Sequence, residues 1–249
     1  MKKATFLKHI SAVSILTITA LMFTGLNAAT GTSETSVKRT STVSTVYTRP
    51  EVVTTASAAK QLLIDGNKRF VQGTLAVKDL SAAARKKLAT EGQKPFAVIV
   101  TCSDSRVPAE LLFDQGLGDL FVIRDAGNVA DAVTLGSIEY GAEHLNAPLI
   151  IVLGHENCGA VKATVDGIKV SDNIGAIINE IKPALEKAKK DNVSKDALYE
   201  ECADENINNT VAKIKASPVI KLLEEEKKVT VIGAKYHLES GEVTFSVEK

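Results

Sequence analysis

The stretch TCSDSR, residues 101–106, sets a thiol, a carboxylate and a guanidinium at alternate positions, Cys102, Asp104 and Arg106, directly behind an apolar run. A second stretch, GHENCGA (154–160), follows another apolar run and offers His155 and Cys158 two residues apart. That spacing lets an imidazole and a thiolate grip one metal ion, and Cys102 would bring a third ligand from a neighbouring strand end. Two sulfurs and one imidazole suit zinc, a borderline-soft ion that takes such ligands tetrahedrally. Cys158 would open the helix that starts at Gly159, where the helix dipole favours a thiolate. A lone H-x-x-C is a weak signal, since a buried cysteine is usually plain packing. Its weight here comes from the matching cluster behind a second strand. A Cys102–Cys158 disulfide is the competing reading if the chain meets an oxidising compartment. Cys202, in the polar stretch YEECADEN, reads as a spare thiol, with completion of a closed Cys3His site as its alternative.

The fourth position separates a structural zinc from a catalytic one, which leaves room for water. Asp104 is the nearest further candidate. It can close the metal, or it can turn away and pair with the planar fork of Arg106. Paired, it stays ionised and can accept a hydrogen bond from a water on the zinc, whose pKa falls to about 7. The cluster therefore reads as one that holds a metal and manages its water.

Such groups need rigid elements behind them. FAVIV (96–100), DLFVIR (119–124) and PLIIVLG (148–154) are short continuous apolar runs, as expected of strands covered on both faces. Ala59, Leu62 or Leu63, and Phe70 recur at helical spacing, as do Leu135, Ile138, Ala142 and Leu145. Ile174, Ile177, Ile181 and Leu185 form a further helical stripe that Pro183 should kink or end. Ser217-Pro218 supplies an N-cap and a proline at the first helical position. VTVIGA (229–234) and EVTFSV, joined through a turn at Ser240-Gly241, read as two more strands. The alternation predicts an α/β fold: a central, mostly parallel β-sheet flanked by helices, with an antiparallel C-terminal edge strand. In such sheets the chemistry gathers where strands end and helices begin.

At the N-terminus, Lys2 and Lys3 precede an apolar stretch from Ile10 to Phe23, and small residues follow. This is the order of a secretory signal peptide, read over residues 1–29, and it implies a chain exported to the periplasm or secreted. The stretch is too short and too rich in hydroxyls for a transmembrane helix; an uncleaved anchor is the alternative. Residues 30–52 read as a Thr/Ser-rich linker and residues 53–249 as the folded domain. Removing residues 1–29 takes away three lysines and no acids, so the formal charge falls from 0 to −3. With 30 basic and 30 acidic residues, no Trp and 4% aromatics, the composition speaks against nucleic acid or an anionic membrane as partner.

At these residues the chain resembles the β-class carbonic anhydrases, over most of residues 53–247. The motifs are GNKRF (66–70), CSDSRVPAE (102–110), GDLFVIRDAGN (118–128), GHENCGAV (154–161), SPVI (217–220) and GAKYHLESGEV (233–243). The resemblance implies one Zn2+ per subunit on Cys102, His155 and Cys158, with Asp104 and Arg106 as the catalytic pair and Gly159 at the pocket wall. It implies reversible hydration of CO2 to bicarbonate and a proton by zinc-bound hydroxide. It also implies self-association as a homodimer or homotetramer. Asp125 stands where the family commonly has Asn, and His237 where it commonly has Asp. Neither belongs to the ligand set, and His237 reads as a surface or interface histidine ahead of a proton shuttle. Two other functions remain open: zinc hydrolysis of COS or CS2 on the same fold, and a non-catalytic zinc-stabilised binding protein. Asp104 and Arg106 speak against the latter, because holding a metal requires neither.

Overall fold

Apolar runs bounded by turns form strands because only a sheet interior covers both of their faces. In the computed structural model, which describes residues 46–189 and 194–246, they do so as β1 (Ala97–Thr101), β2 (Leu120–Arg124), β3 (Leu149–His155), β4 (Thr230–Tyr236) and β5 (Val243–Phe245). The sheet order is β2-β1-β3-β4-β5, parallel throughout except for the antiparallel β4–β5 pair. The expected architecture is thus present. The signal peptide read over residues 1–29 and the linker residues ahead of Val46 lie outside the described residues. Among the described residues, no helix is long and apolar enough to cross a membrane.

Successive side chains of a strand point to opposite faces, and the sheet is covered accordingly. Ala97, Ile99, Ile151, Leu153 and Ile232 face Ala59 and Leu63 of α1 (Ala56–Val71) and Leu112 of α3 (Ala109–Leu112). Val98, Val100, Ile150, Val152 and Val231 face the other way. They meet Ile138 of α4 (Ala132–Glu139), Ile207 and Ile214 of α7 (Lys195–Lys215), and Ile220 of α8 (Pro218–Glu225). A third cluster joins Cys102, Cys158 and Val161 of α5 (Gly159–Asp166) to Ile181 and Leu185 of α6 (Asp172–Ala188) and Cys202 of α7. The ends of β1 and β3 thus open into a pocket of packing that α5, α6 and α7 close. Between α1 and β1 in the chain, a short helix, α2 (Ala82–Glu91), carries no buried residue at all.

Four expectations need correction. Strand β2 is an edge strand, and only Leu120 of its residues is buried, because no neighbouring strand covers its outer side. Pro183 does not end its helix: α6 runs through it. Pro183 and Asn179 both lie on the exposed side, so the carbonyl that loses its N–H partner faces water. The stripe at 135–145 is helical but not uniform, since α4 gives way to a π-helical turn, Tyr140–His144, closed by Leu145 N–H on the Tyr140 carbonyl at 3.2 Å. Finally, the chain is tied down before Val53. Val46 bridges Val77, the Tyr47 hydroxyl lies 2.7 Å from the Asp119 carboxylate, and Arg49 pairs with the same group.

Candidate metal centre

Parallel pairing of β1 with β3 sets Thr101 beside Leu153, so the two strands release their chains at nearly the same level. Cys102 is the first residue past β1, His155 the last of β3, and Cys158 the N-cap of α5. Their ligand atoms, two Sγ and one imidazole nitrogen, all lie within 4.8 Å of one another, and all three residues are buried. Among the described residues this is the one such group of three or more. The three cysteines are free thiols, so the disulfide alternative does not hold. Cys202 is buried in the apolar cluster below and is not a member of the group, so it does not close the site. Its expected place in a polar stretch is corrected too: α7 turns this one face fully inward.

The group fits a metal ion on its own chemistry. His155 Nδ1 lies 2.8 Å from the Glu156 carbonyl and donates to it. That fixes the tautomer and leaves Nε2 with a lone pair, buried and without a hydrogen-bond partner. A buried orphan of this kind costs about 1–3 kcal/mol unless a donor or a cation takes its lone pair. Without a cation, hydrogen bonding from the Cys158 thiol pulls the Cys102 pKa well down, while that same shared proton, with burial, pushes Cys158 up. For His155, burial pulls downward, but the hydrogen bond and negative charge of Cys102 outweigh it and its pKa is raised. Two sulfurs sharing a proton beside an imidazole lone pair in one buried space is what a divalent cation relieves, since it displaces protons from the sulfurs and takes the lone pair of Nε2. The Gly127 N–H also donates to the Cys102 sulfur at 3.2 Å.

Asp104 stands beside the group without belonging to it. Its carboxylate accepts from the Arg106 backbone N–H at 2.9 Å, from Nε at 2.9 Å and from a terminal guanidinium nitrogen at 2.7 Å. Of the two readings of Asp104, pairing with arginine is the one the geometry takes. The Arg106 guanidinium holds the Asp104 carboxyl down to about 2. Its Oδ2 is still 3.9 Å from His155 Nε2, close enough to serve a molecule bound at the ligands.

Several supports were not legible beforehand. Arg124 donates to the Cys102 carbonyl at 3.1 Å and to the Asp104 carbonyl at 2.6 Å, clamping the turn between them. The Glu156 carboxylate is held by His237 Nδ1 at 2.6 Å and by the Leu238 N–H at 3.1 Å. Glu200 accepts the Asn157 N–H at 3.0 Å, while the Asn157 carbonyl accepts from Arg106. Asp125 takes the Thr134 hydroxyl at 2.7 Å and so faces away from the ligands. Except for AGN (126–128), which hints at a left-handed turn, no sequence signal marks these contacts. Gly159 lies open beside Cys158, with nothing near its Cα on the side a Cβ would take.

A buried Cys-His-Cys group that could hold a metal ion, set at parallel strand ends with the nearby carboxylate held off by arginine, has the arrangement of an α/β active site rather than of a closed structural module. Comparison with known proteins narrows the class. A family model described as carbonic anhydrase matches residues 97–243. The carbonic anhydrase of Mycolicibacterium smegmatis is 41% identical over 191 residues, covering 75% of this chain and 91% of that protein. Carbonic anhydrase 2 of Mycobacterium tuberculosis is 41% identical over 189 residues, covering 74% and 89%. Among solved structures, the Coccomyxa β-carbonic anhydrase in complex with acetazolamide aligns with a TM-score of 0.60 at 25% identity, covering 75% of this chain and 85% of that one. A tetrameric β-carbonic anhydrase of Sordaria macrospora has the same fold, with a TM-score of 0.60 at 22% identity over 66% of this chain and 90% of that one. The chain belongs to the carbonic anhydrase family, in its β class, whose members are carbonate dehydratases, a kind of lyase.

Proposed function

We propose that this chain catalyses the reversible hydration of CO2 to bicarbonate and a proton, with one Zn2+ per subunit held by Cys102, His155 and Cys158. The observation that carries the proposal is the orphaned His155 Nε2 facing two free sulfurs, with an ionised Asp104 3.9 Å away. Zinc in that place supplies the Lewis acidity that ionises a water near neutrality. The protein's own residues supply the rest. Glu156, through its carbonyl, keeps His155 in the tautomer that presents Nε2. Asp104 accepts a hydrogen bond from the attacking water at Oδ2 and so turns a lone pair toward the carbon of CO2. Arg106 keeps that carboxylate ionised and away from the ligands. Val129 and Val161, in the same buried cluster as the two sulfurs, give an uncharged, weakly polar substrate an apolar wall.

The test is a stopped-flow CO2 hydration assay on the purified chain, before and after removal of metal by a chelator and again after zinc is restored. Turnover that disappears and returns supports the proposal. A zinc-loaded chain that turns over COS or CS2 but not CO2 would replace the substrate, and one inert toward all three would leave a binding protein. Self-association as a dimer or tetramer is part of the proposal and is supported by the tetrameric relative; sedimentation at assay concentration tests it. Export rests on the residue order of 1–29, and fractionation of expressing cells tests it, with an unprocessed cytosolic chain as the refuting result.

A further inference from the structure

Helix α7 carries two buried polar side chains one turn apart, Asn206 and Thr210, on the side that meets the loop after β2. Asn206 Nδ2 donates to the Gly127 carbonyl at 2.7 Å, and Thr210 Oγ1 donates to the next carbonyl, that of Asn128, at 3.2 Å. The two residues so held are both left-handed, with φ of +76° at Gly127 and +46° at Asn128. Asn128 visits that conformation more readily than most residues, but it still needs its surroundings to hold it there. The loop they shape is the one whose Gly127 N–H donates to the Cys102 sulfur at 3.2 Å.

Asn206 is kept at a cost. Its Oδ1 is buried with no hydrogen-bond partner, as is Asn128 Nδ2 across the same loop. A leucine of the same branched outline on α7 would avoid the first of these orphans. An amide retained fully buried for the sake of one donated bond points to the bond itself as its reason.

We propose that Asn206, assisted by Thr210, is a positioning residue for the metal centre: by holding the Gly127 and Asn128 carbonyls it fixes the Gly127 N–H on the Cys102 sulfur, and so sets the affinity and electronic character of that ligand toward a metal ion. An N–H aimed at a thiolate spreads its charge and fixes its direction. Groups that orient ligands in this way typically contribute 10–100-fold in metal affinity. The inference rests on the proposed ligation by Cys102.

The experiment loads the purified chain with Co2+ in place of Zn2+ and records the sulfur-to-cobalt charge-transfer absorption, then measures zinc affinity by competition with a chelator. Asn206→Leu removes the donated bond while keeping the branched outline of the side chain. It should move the absorption to longer wavelength, as the sulfur becomes more electron-rich, and weaken zinc binding by roughly 10–100-fold. Asn209→Leu is the control on the same helix: it loses a contact to the Glu180 carbonyl, toward α6, and should leave both readings unchanged. An Asn206→Leu chain with wild-type absorption and affinity within about twofold would overturn the inference, as would equal effects from both variants. If Asn206→Leu fails to fold, Thr210→Val decides, with a smaller shift in the same direction expected and no shift refuting. A wild-type chain that shows no sulfur-to-cobalt absorption at all would instead remove the ligand assignment itself.

Discussion

Replacing Asp104 with asparagine separates what the carboxylate does for turnover from what it does for the fold. Asparagine keeps the shape and one acceptor oxygen but puts an NH2 where Oδ2 accepts from Arg106 at 2.7 Å. The Asp104 side chain is 18% exposed and that of Arg106 is 51% exposed, so half of the pair already sits in water. A pair of that kind contributes about 1 kcal/mol at most, which for a chain of this size moves the midpoint of thermal unfolding by only about 2–4 °C. The catalytic loss should be far larger. A group that orients the attacking water supplies roughly 10²-fold, the loss that follows when a nucleophile is misplaced by about 1 Å, or about 3 kcal/mol of barrier. Zinc content should be unchanged, because the ligands are elsewhere. Stopped-flow CO2 hydration, metal analysis and thermal unfolding on one preparation give all three numbers. If Asp104→Asn keeps a third or more of the wild-type kcat/KM, the water-orienting role is wrong. If it loses zinc, Asp104 is a ligand, and the arginine pairing is not its working state.

Other substitutions probe the frame around the site. Cys202 is fully buried, so Cys202→Ser places an unmatched hydroxyl in an apolar cluster and should cost about 1–3 kcal/mol in urea unfolding, with zinc content intact. Gly66→Ala would drive a methyl group into the Phe113 carbonyl oxygen where α1 crosses α3. It should destabilise by about 1–3 kcal/mol despite the better helix propensity of alanine, and a variant of equal or greater stability would refute that packing. Chelation should lower the unfolding temperature and zinc should restore it where magnesium does not, since stabilisation by a ligand grows as RT ln(1 + [L]/Kd); insensitivity to chelator would show that no ion is held in the folded state.

The residues that act by their own chemistry were the ones the sequence displayed. Cys102, His155 and Cys158 lie in two short stretches, each behind an apolar run that has no stable alternative to a covered strand. Once β1 and β3 are neighbours, Thr101 beside Leu153 brings the three together without further help. What escaped is of another kind. The seat of Pro183 depends on which side of α6 faces water, and the inward turn of Cys202 on which side of α7 does not. The exposure of β2 depends on strand order, which a run of apolar letters leaves open. The tie of Tyr47 to Asp119 joins residues 72 positions apart, with a polar composition that reads as linker.

The same distinction holds inside the metal centre. Arg124, Glu200, Asn206 and Glu156 hold the ligands through backbone groups: the Cys102 and Asp104 carbonyls, the Asn157 N–H, the Gly127 carbonyl, and the carbonyl that fixes His155. Every residue has such groups, so nothing in the letter at the receiving end announces the contact. They hold in place what strand pairing brings together, two sulfurs and an imidazole within 4.8 Å of one another. The chemistry of the site is written in its side chains; its support comes from β2, from the loop after β3 and from α7, whose polar residues look, from the sequence, like an ordinary solvated face.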